Sequence, residues 1–260
     1  MRLLHVQTHA FTDFQGDGVP AYAILSHTWQ QWQEVSYQEW LQPTDDIRSK
    51  SGYRKICEAC KKARADGYDW IWVDTNCIDK TSSAELSEAI NSMYAWYRRA
   101  AVCYAYLEDV PPVEEASSDP FAAFRDSRWH TRGWTLQELL APQKIVFFAR
   151  DWSLMGTRDW LVKEIKTATG IDTDDCRREI DTSSVARKMS WLARRKTTRV
   201  EDMAYCMLGL LNINMPLLYG EGAKAFIRLQ EEIIKNNPDL TIFCWTRDES
   251  TPADWMSRLP

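Results

Sequence analysis

Apolar positions in the first 150 residues alternate between short unbroken runs and longer stripes at helical spacing. Arg2–Gln7 is a short apolar run, and a Gly16-Asp17-Gly18 turn leads from it to Tyr22–His27. Continuous apolar runs of this length suit strands buried on both faces. A polar connection carrying Trp29, Trp32 and Trp40 follows. From Gly52 to Ala65, Tyr53, Ile56, Cys57, Cys60 and Ala63 recur three and four residues apart, which predicts a helix stopped by Asp66-Gly67. Trp70–Asp74 reads as a second core strand ending in polar residues. Ser82-x-x-Glu85 then forms a capping box for a helix whose stripe is Leu86, Ile90, Met93, Tyr97 and Ala100. Val102–Leu107 is a third strand, Pro111–Pro120 an acidic loop, Ser127–Ala141 a partly irregular helical stretch, and Lys144–Ala149 the strand after it.

Beyond Asp151 the pattern turns helical, with predicted spans 158–168, 185–195, 199–211 and 222–236. The third shows apolar positions at Val200, Met203, Ala204, Met207, Leu208 and Leu211. A last strand-like run, LTIFCW, ends near Trp245. Alternating strands and helices followed by helices alone predict an open parallel α/β sheet over residues 1–150. Residues 151–260 then form a helical C-terminal elaboration packed on that core, giving a single domain overall.

Composition narrows the function. With 260 residues the chain can bury a full core, and 32 basic against 37 acidic residues give a net charge of −5. That balance disfavours a nucleic-acid partner. No run approaches the length of a membrane span and the N-terminus lacks a cleavable apolar leader, so a cytoplasmic protein is expected. Seven cysteines, an odd number, fit reduced thiols. Cys57-x-x-Cys60 alone has metal spacing, but both residues fall on a helix stripe and no second pair completes a zinc site, so no metal is expected. Thirteen tryptophans, one residue in twenty, suggest rings used for stacking as well as packing.

Ligands of open parallel sheets bind outside the carboxyl ends of the strands. Those ends carry Ser26, His27, Thr28 and Trp29; Asp74, Thr75, Asn76 and Asp79; and Glu108 and Asp109. The fourth element adds Arg128, Trp129, His130, Arg132, Trp134 and Glu138. Trp134 and Glu138 are four apart and share a helix face, so ring and carboxylate can border one pocket. Plainer readings stand beside these: His27 as a hydrogen-bonded structural histidine, Asp74 and Asp79 as caps, and Arg128, Arg132 and Glu138 as a surface ion-pair set. Serine-hydrolase, P-loop and zinc-hydrolase motifs are missing. Gly16-x-Gly18-x-x-Ala21 precedes a strand instead of opening a helix, and Gly220-x-Gly222-x-x-Ala225 lacks a βαβ unit, so neither is a dinucleotide fingerprint.

LSHTW at 25–29, WVDTNCIDK at 72–80, SEAINSMYAWY at 87–97, RGWTLQELLAP at 132–142 and RVEDMAYCMLGL at 199–210 resemble, in order, the fungal heterokaryon-incompatibility (HET) domain. Gln30 stands where glycine usually follows LSHTW, and Asn76 and His130 occupy variable slots. The resemblance implies a role in fungal non-self recognition ending in programmed cell death, with incompatibility or receptor proteins as partners. Such domains often open larger receptors, so a longer protein is expected. A more distant resemblance, to Toll/interleukin-1 receptor (TIR) domains, rests on Trp134-Thr-Leu-Gln-Glu138-Leu139 followed by a strand, and on the strand–helix order before it. It implies a flavodoxin-like sheet with helices on both faces, self-association, and cleavage of NAD+ as substrate with no further cofactor.

In that reading Glu138 is catalytic. Ser26, His27, Thr28, Trp29, Asp74, Asn76, Arg128, Arg132 and Trp134 then form the binding set, the rings stacking and the arginines pairing with pyrophosphate. The alternative is a non-enzymatic signalling module whose tryptophan-rich surface binds a partner and triggers death through it.

Overall fold

The computed structural model describes residues 1–112, 119–172, 175 and 182–244. Seven strands form one sheet: β1 (Arg2–His5), β2 (Phe11–Asp13), β3 (Ala23–His27), β4 (Trp70–Trp72), β5 (Val102–Tyr106), β6 (Ile145–Phe148) and β7 (Leu154–Thr157). Their spatial order is β2-β1-β4-β3-β5-β6-β7. The middle four, β4-β3-β5-β6, are parallel. In chain order they run 2-1-3-4, which puts the reversal of winding between β3 and β5. Every residue of β3 and β5 is buried, as their unbroken apolar runs require.

The flanks correct the expectation of a wholly parallel sheet. β1 pairs antiparallel with both β2 and β4, and β7 pairs antiparallel with β6. For the β1–β2 and β6–β7 pairs the links are too short for anything else. Five residues join β1 to β2 and five join β6 to β7, whereas a parallel return needs a crossover of a dozen or more. β2 and β7 also escape sequence reading because both are short and half-exposed. β7 carries the sheet past residue 150, so the C-terminal part begins as a strand.

Short helices α1 (Tyr37–Leu41) and α2 (Asp45–Ser49) precede α3 (Ser51–Ala65), which links β3 to β4; α4 (Ser83–Arg99) links β4 to β5. Two short elements, α5 (Ala122–Asp126) and α6 (Thr135–Leu140), lie between β5 and β6. Strand register shows which face each long helix covers. Trp72, Ile24 and Cys103 stand side by side and so point the same way. Trp72 packs on Trp96 and Tyr97 of α4, while Tyr104, one residue on from Cys103, donates to Asp66 at the end of α3. Helices therefore cover both faces. No described helix is long and apolar enough to cross a membrane.

The C-terminal part holds α7 (Val162–Thr169), α8 (Val185–Ser190), α9 (Asp202–Tyr205) and α10 (Lys224–Asn236). The helix expected over 199–211 is only the turn α9 followed by further tight turns. Its stripe is buried all the same from Met203 to Leu211, but Val200 is exposed. Gly209 lies so close to Tyr94 of α4 that a Cβ there would overlap the tyrosine's own Cβ, so the missing side chain is what lets this segment approach α4. The strand expected in LTIFCW is a 3-10 turn over Leu240–Phe243. Asp239 starts it by accepting from the Thr241 N–H. Trp245 and Cys176 lie outside the described residues.

Candidate functional site

The carboxyl ends of β3 and β4, the face of α4 and the start of α6 enclose a cavity of about 320 Å³. Leu86, Ile90 and Met93, one stripe of α4, supply its apolar lining. His27, Trp29, Asp74 and Lys80 border it from the strand ends; Arg132, Trp134 and Glu138 border it from the α6 side. A larger hollow of about 780 Å³ lies beside the N-terminal hairpin. There Arg2 is already neutralised by Glu85 at 2.7 Å and Asp13 at 3.5 Å, so little of its charge is left for a ligand.

Glu138 sits in the first turn of α6, a helix buried along its whole length, and is 6% exposed. Trp129 Nε1 donates to Ser26 Oγ (2.9 Å), and Ser26 Oγ donates to Glu138 Oε2 (2.5 Å). Tyr97, whose hydroxyl donates to the Leu25 carbonyl (3.0 Å), is a second hydrogen-bonding neighbour. Burial pushes the Glu138 carboxyl up to about 8, with the charge of Asp74 adding to the rise; Ser26, Tyr97 and Arg195 pull the other way. Arg195 is buried behind α6, where it donates to the Arg132 carbonyl (2.8 Å) and to Thr135 Oγ1 (2.9 Å). Burial draws its guanidinium down to about 10.

Asp74 stands differently. His27 Nε2 donates to its Oδ1 and Trp29 Nε1 to its Oδ2, each at 2.9 Å. Burial alone would raise this carboxyl; His27, Lys80 and the Trp29 hydrogen bond outweigh it and hold Asp74 below the usual carboxylate range. Lys80 lies 4.2 Å from the centre of the Trp29 ring. Trp29 is thereby fixed by its N–H on one side and a cation on its face, although half of it remains exposed.

The remaining wall comes from the C-terminal part: Thr198, Arg199, Asp202 and Tyr219. Asp202 accepts from the Tyr219 hydroxyl (3.0 Å) and from Trp134, which orients that ring; burial raises its carboxyl. The wall is held by backbone contact, since Gly133 N–H donates to the Lys196 carbonyl (2.9 Å) and Lys196 N–H to the Thr131 carbonyl (2.7 Å). A Cβ on Gly133 would fall 2.5 Å from Thr197 Cγ2, so any larger residue would have to displace the Thr197 side chain to keep this approach.

Six of the residues expected at the site thus share one cavity: His27, Trp29, Asp74, Arg132, Trp134 and Glu138. Ser26, fully buried, stands directly behind Glu138. Three others lie elsewhere. Thr28 and Asn76 are buried away from the cavity, and Arg128 is an exposed partner of Glu108 at 3.0 Å, the surface pairing its sequence context allowed. His130 is packed edge-on to Phe124 and Trp129, and burial pushes its imidazole down to about 3, so it is neutral. Sequence reading missed Lys80, Arg199, Asp202 and Tyr219. The motifs at 72–80 and 199–210 contain the first three, but spacing alone does not bring them to one cavity. Among the described residues no His, Cys, Asp and Glu cluster is arranged to hold a metal.

Residues 22–117 match the family described as Heterokaryon incompatibility protein (HET), and residues 224–257 match a domain of unknown function, DUF8212. The chain is 46% identical over 231 residues to the vegetative incompatibility protein HET-E-1 of Podospora anserina, an alignment covering 86% of this chain and 17% of that protein. It therefore spans about a sixth of that relative's length. No solved structure matches. The HET match covers β3, β4, β5 and the Asp74 side of the cavity, whereas Arg132, Trp134 and Glu138 lie beyond it but within the length over which a relative can align at such identity. Over residues 22–117 the chain is thus similar to the heterokaryon incompatibility family.

Proposed function

We propose that the chain acts in heterokaryon incompatibility as a cell-death effector that cleaves the nicotinamide–ribose bond of NAD+ upon self-association. One observation carries the reading. Glu138, buried and with its acidity shifted, faces a cavity at the carboxyl ends of the parallel strands with Trp29 and Trp134 on its walls. The 2-1-3-4 strand order and the Trp134-to-Glu138 spacing support the likeness to NAD-cleaving TIR domains. The name of the Podospora relative supports the biological role.

In the reaction the bond between ribose C1′ and the pyridinium nitrogen breaks, and its electron pair leaves with that nitrogen. Nicotinamide departs neutral, so no acid is needed to protonate it. The ribosyl oxocarbenium ion takes the oxygen of a water, and the water's proton passes to Glu138 or to solvent. Ionised Glu138 stabilises the cation as it forms, in a site where burial strengthens the effect. Ser26 and Trp129 hold the carboxyl in one orientation. The faces of Trp29 and Trp134 attract the cationic ring before cleavage.

The test is incubation of the purified protein, dispersed and clustered on a multivalent scaffold, with NAD+ while released nicotinamide is followed by chromatography. Glu138→Gln should lower release by about a hundredfold or more. Equal turnover by this variant would remove Glu138 from the chemistry. Killing in fungal cells that survives Glu138→Gln with NAD+ intact would favour the interaction-module alternative.

A further inference from the structure

Many charges in this protein neutralise one another: Lys55 pairs with Glu34, Arg125 with Glu164, Arg228 with Glu221. Three cations that line the cavity depart from that pattern. Among the described residues, no carboxylate comes within 4.0 Å of the side-chain nitrogens of Lys80, Arg132 or Arg199. Arg132 is half-buried and Arg199 exposed, so both guanidinium groups are open to an anion that enters the cavity.

The three are not spread evenly. Lys80 belongs to the Asp74 end, over Trp29. Arg132 and Arg199 line the same cavity from the α6 side and the C-terminal wall: Arg132 Nη2 donates to Thr198 Oγ1 (3.1 Å), and Arg199, the residue after Thr198, lies over Tyr219 at 4.4 Å. The close approach at Gly133 joins the two segments that carry them. One part of the cavity thus has Asp74 and Trp29 with a single cation, Lys80, while the other has two guanidinium groups against one carboxyl, Asp202, whose own donors are Trp134 and Tyr219, and the lining between is apolar.

Size adds a second constraint. A cavity of about 320 Å³ is at the small end of the range of ligand sites, about 300 to 1,000 Å³. It suits one nucleotide, not a dinucleotide with twice as many atoms. We infer that the cavity recognises the nicotinamide mononucleotide half of its substrate, with the pyridinium ring toward Glu138 and Asp74 and the 5′-phosphate on Arg132 and Arg199. The adenosine half stays outside and is not read. This inference rests on the proposed function. Guanidinium groups bind phosphate oxygens in paired hydrogen bonds, so two arginines on the walls of one cavity give strength and orientation together. The bond that breaks is the same C1′–N bond, and water supplies the oxygen as before.

Nicotinamide release by the full chain from NAD+, nicotinamide mononucleotide and nicotinamide riboside tests the inference. The mononucleotide should match NAD+ in kcat/KM to within about threefold, and the riboside, lacking phosphate, should fall about tenfold or more below both. In Arg199→Ala the mononucleotide's advantage over the riboside should shrink to about twofold or less, mainly through KM, and Arg199→Lys should recover part of it. Cleavage of NAD+ with the mononucleotide about a hundredfold slower would overturn the inference while leaving NAD+ cleavage standing. If none of the three is cleaved, the proposed function fails, and calorimetric binding of the mononucleotide decides the inference separately. Binding that Arg199→Ala abolishes supports it; no binding, or equal binding by both proteins, overturns it.

Discussion

At the two ends of the wall that faces the sheet, carboxyl groups of similar intrinsic acidity are driven in opposite directions. At the β4 end Asp74 has two hydrogen-bond donors at 2.9 Å and a lysine nearby, and these overcome burial to keep it ionised. At the α6 end burial prevails, and Glu138, which accepts from the neutral Ser26 hydroxyl, is pushed up to about 8. Asp74 itself contributes to that rise. Carboxyl groups separated in this way take different roles: Asp74 is a fixed anion, and Glu138 is the group whose charge changes near neutral pH.

The largest expected effect is the loss of nicotinamide release in Glu138→Gln, and the same variant carries a stability signature. The folded Glu138 is less acidic than its ordinary value of 4.5. Its contribution to stability is therefore fully present below that value and is lost as pH rises to about 8. Glutamine accepts from Ser26 and never ionises, so it escapes this loss. Urea unfolding should show the variant gaining on the wild type between about pH 5 and pH 8.5, by about a few kcal/mol. A difference that does not vary with pH would break the contrast between the two ends.

Next in size is the pH profile of the reaction. Only ionised Glu138 stabilises the ribosyl cation, so release should climb by tens of fold between about pH 6 and pH 8 and then level off. Asp74 stays ionised throughout this window and adds nothing to the slope. Rates that are flat, or that fall with pH, would assign Glu138 the wrong protonation state.

Asp74→Asn sharpens the comparison from the other side. Removing the Asp74 charge relieves Glu138, so the midpoint of the pH profile should move down. His27, Trp29 and Lys80 lose the anion they serve, at a cost of roughly 1–3 kcal/mol. For a chain of this size that amounts to a fall in Tm of roughly 2–4 °C per kcal/mol. Thermal denaturation and the rate profile, measured on the same protein, separate the two effects. An unmoved midpoint with a lowered Tm would show that Asp74 supports the fold alone.

The asymmetry also bears on what could be read from the sequence. Unbroken apolar runs locate β3, β4 and β5, and the rule that ligands gather at strand ends brings His27 and Asp74 to one edge. Trp134 and Glu138, four residues apart, share the cavity as a helix face predicts. The opposite wall was invisible. Arg199 and Tyr219 reach it through the backbone contact at Gly133, and a contact between segments more than sixty residues apart leaves no local pattern. Arg128 shows the converse: it is only four residues before Arg132, but on an irregular turn that is enough to aim it at Glu108 on the surface. The edge strands β2 and β7 were missed for a similar reason, since three- and four-residue strands carry too little alternation to declare themselves.

The smallest effect expected is the most diagnostic in sign. Ser26 Oγ accepts from Trp129 and donates to Glu138, and that donation favours the ionised carboxylate. Ser26→Ala removes it, so the midpoint of the rate profile should move up, opposite to the shift in Asp74→Asn. Trp129 is fully buried and its N–H loses its acceptor, which costs roughly 1–3 kcal/mol. Both substitutions therefore lower Tm, but they displace the rate profile in opposite directions. A general loosening of the fold would displace both the same way, because partial exposure lets water reach Glu138 and restores its ordinary acidity. Profiles for the two variants on either side of the wild type would show that Glu138 is tuned by these two neighbours, one at each end of the sheet-facing wall.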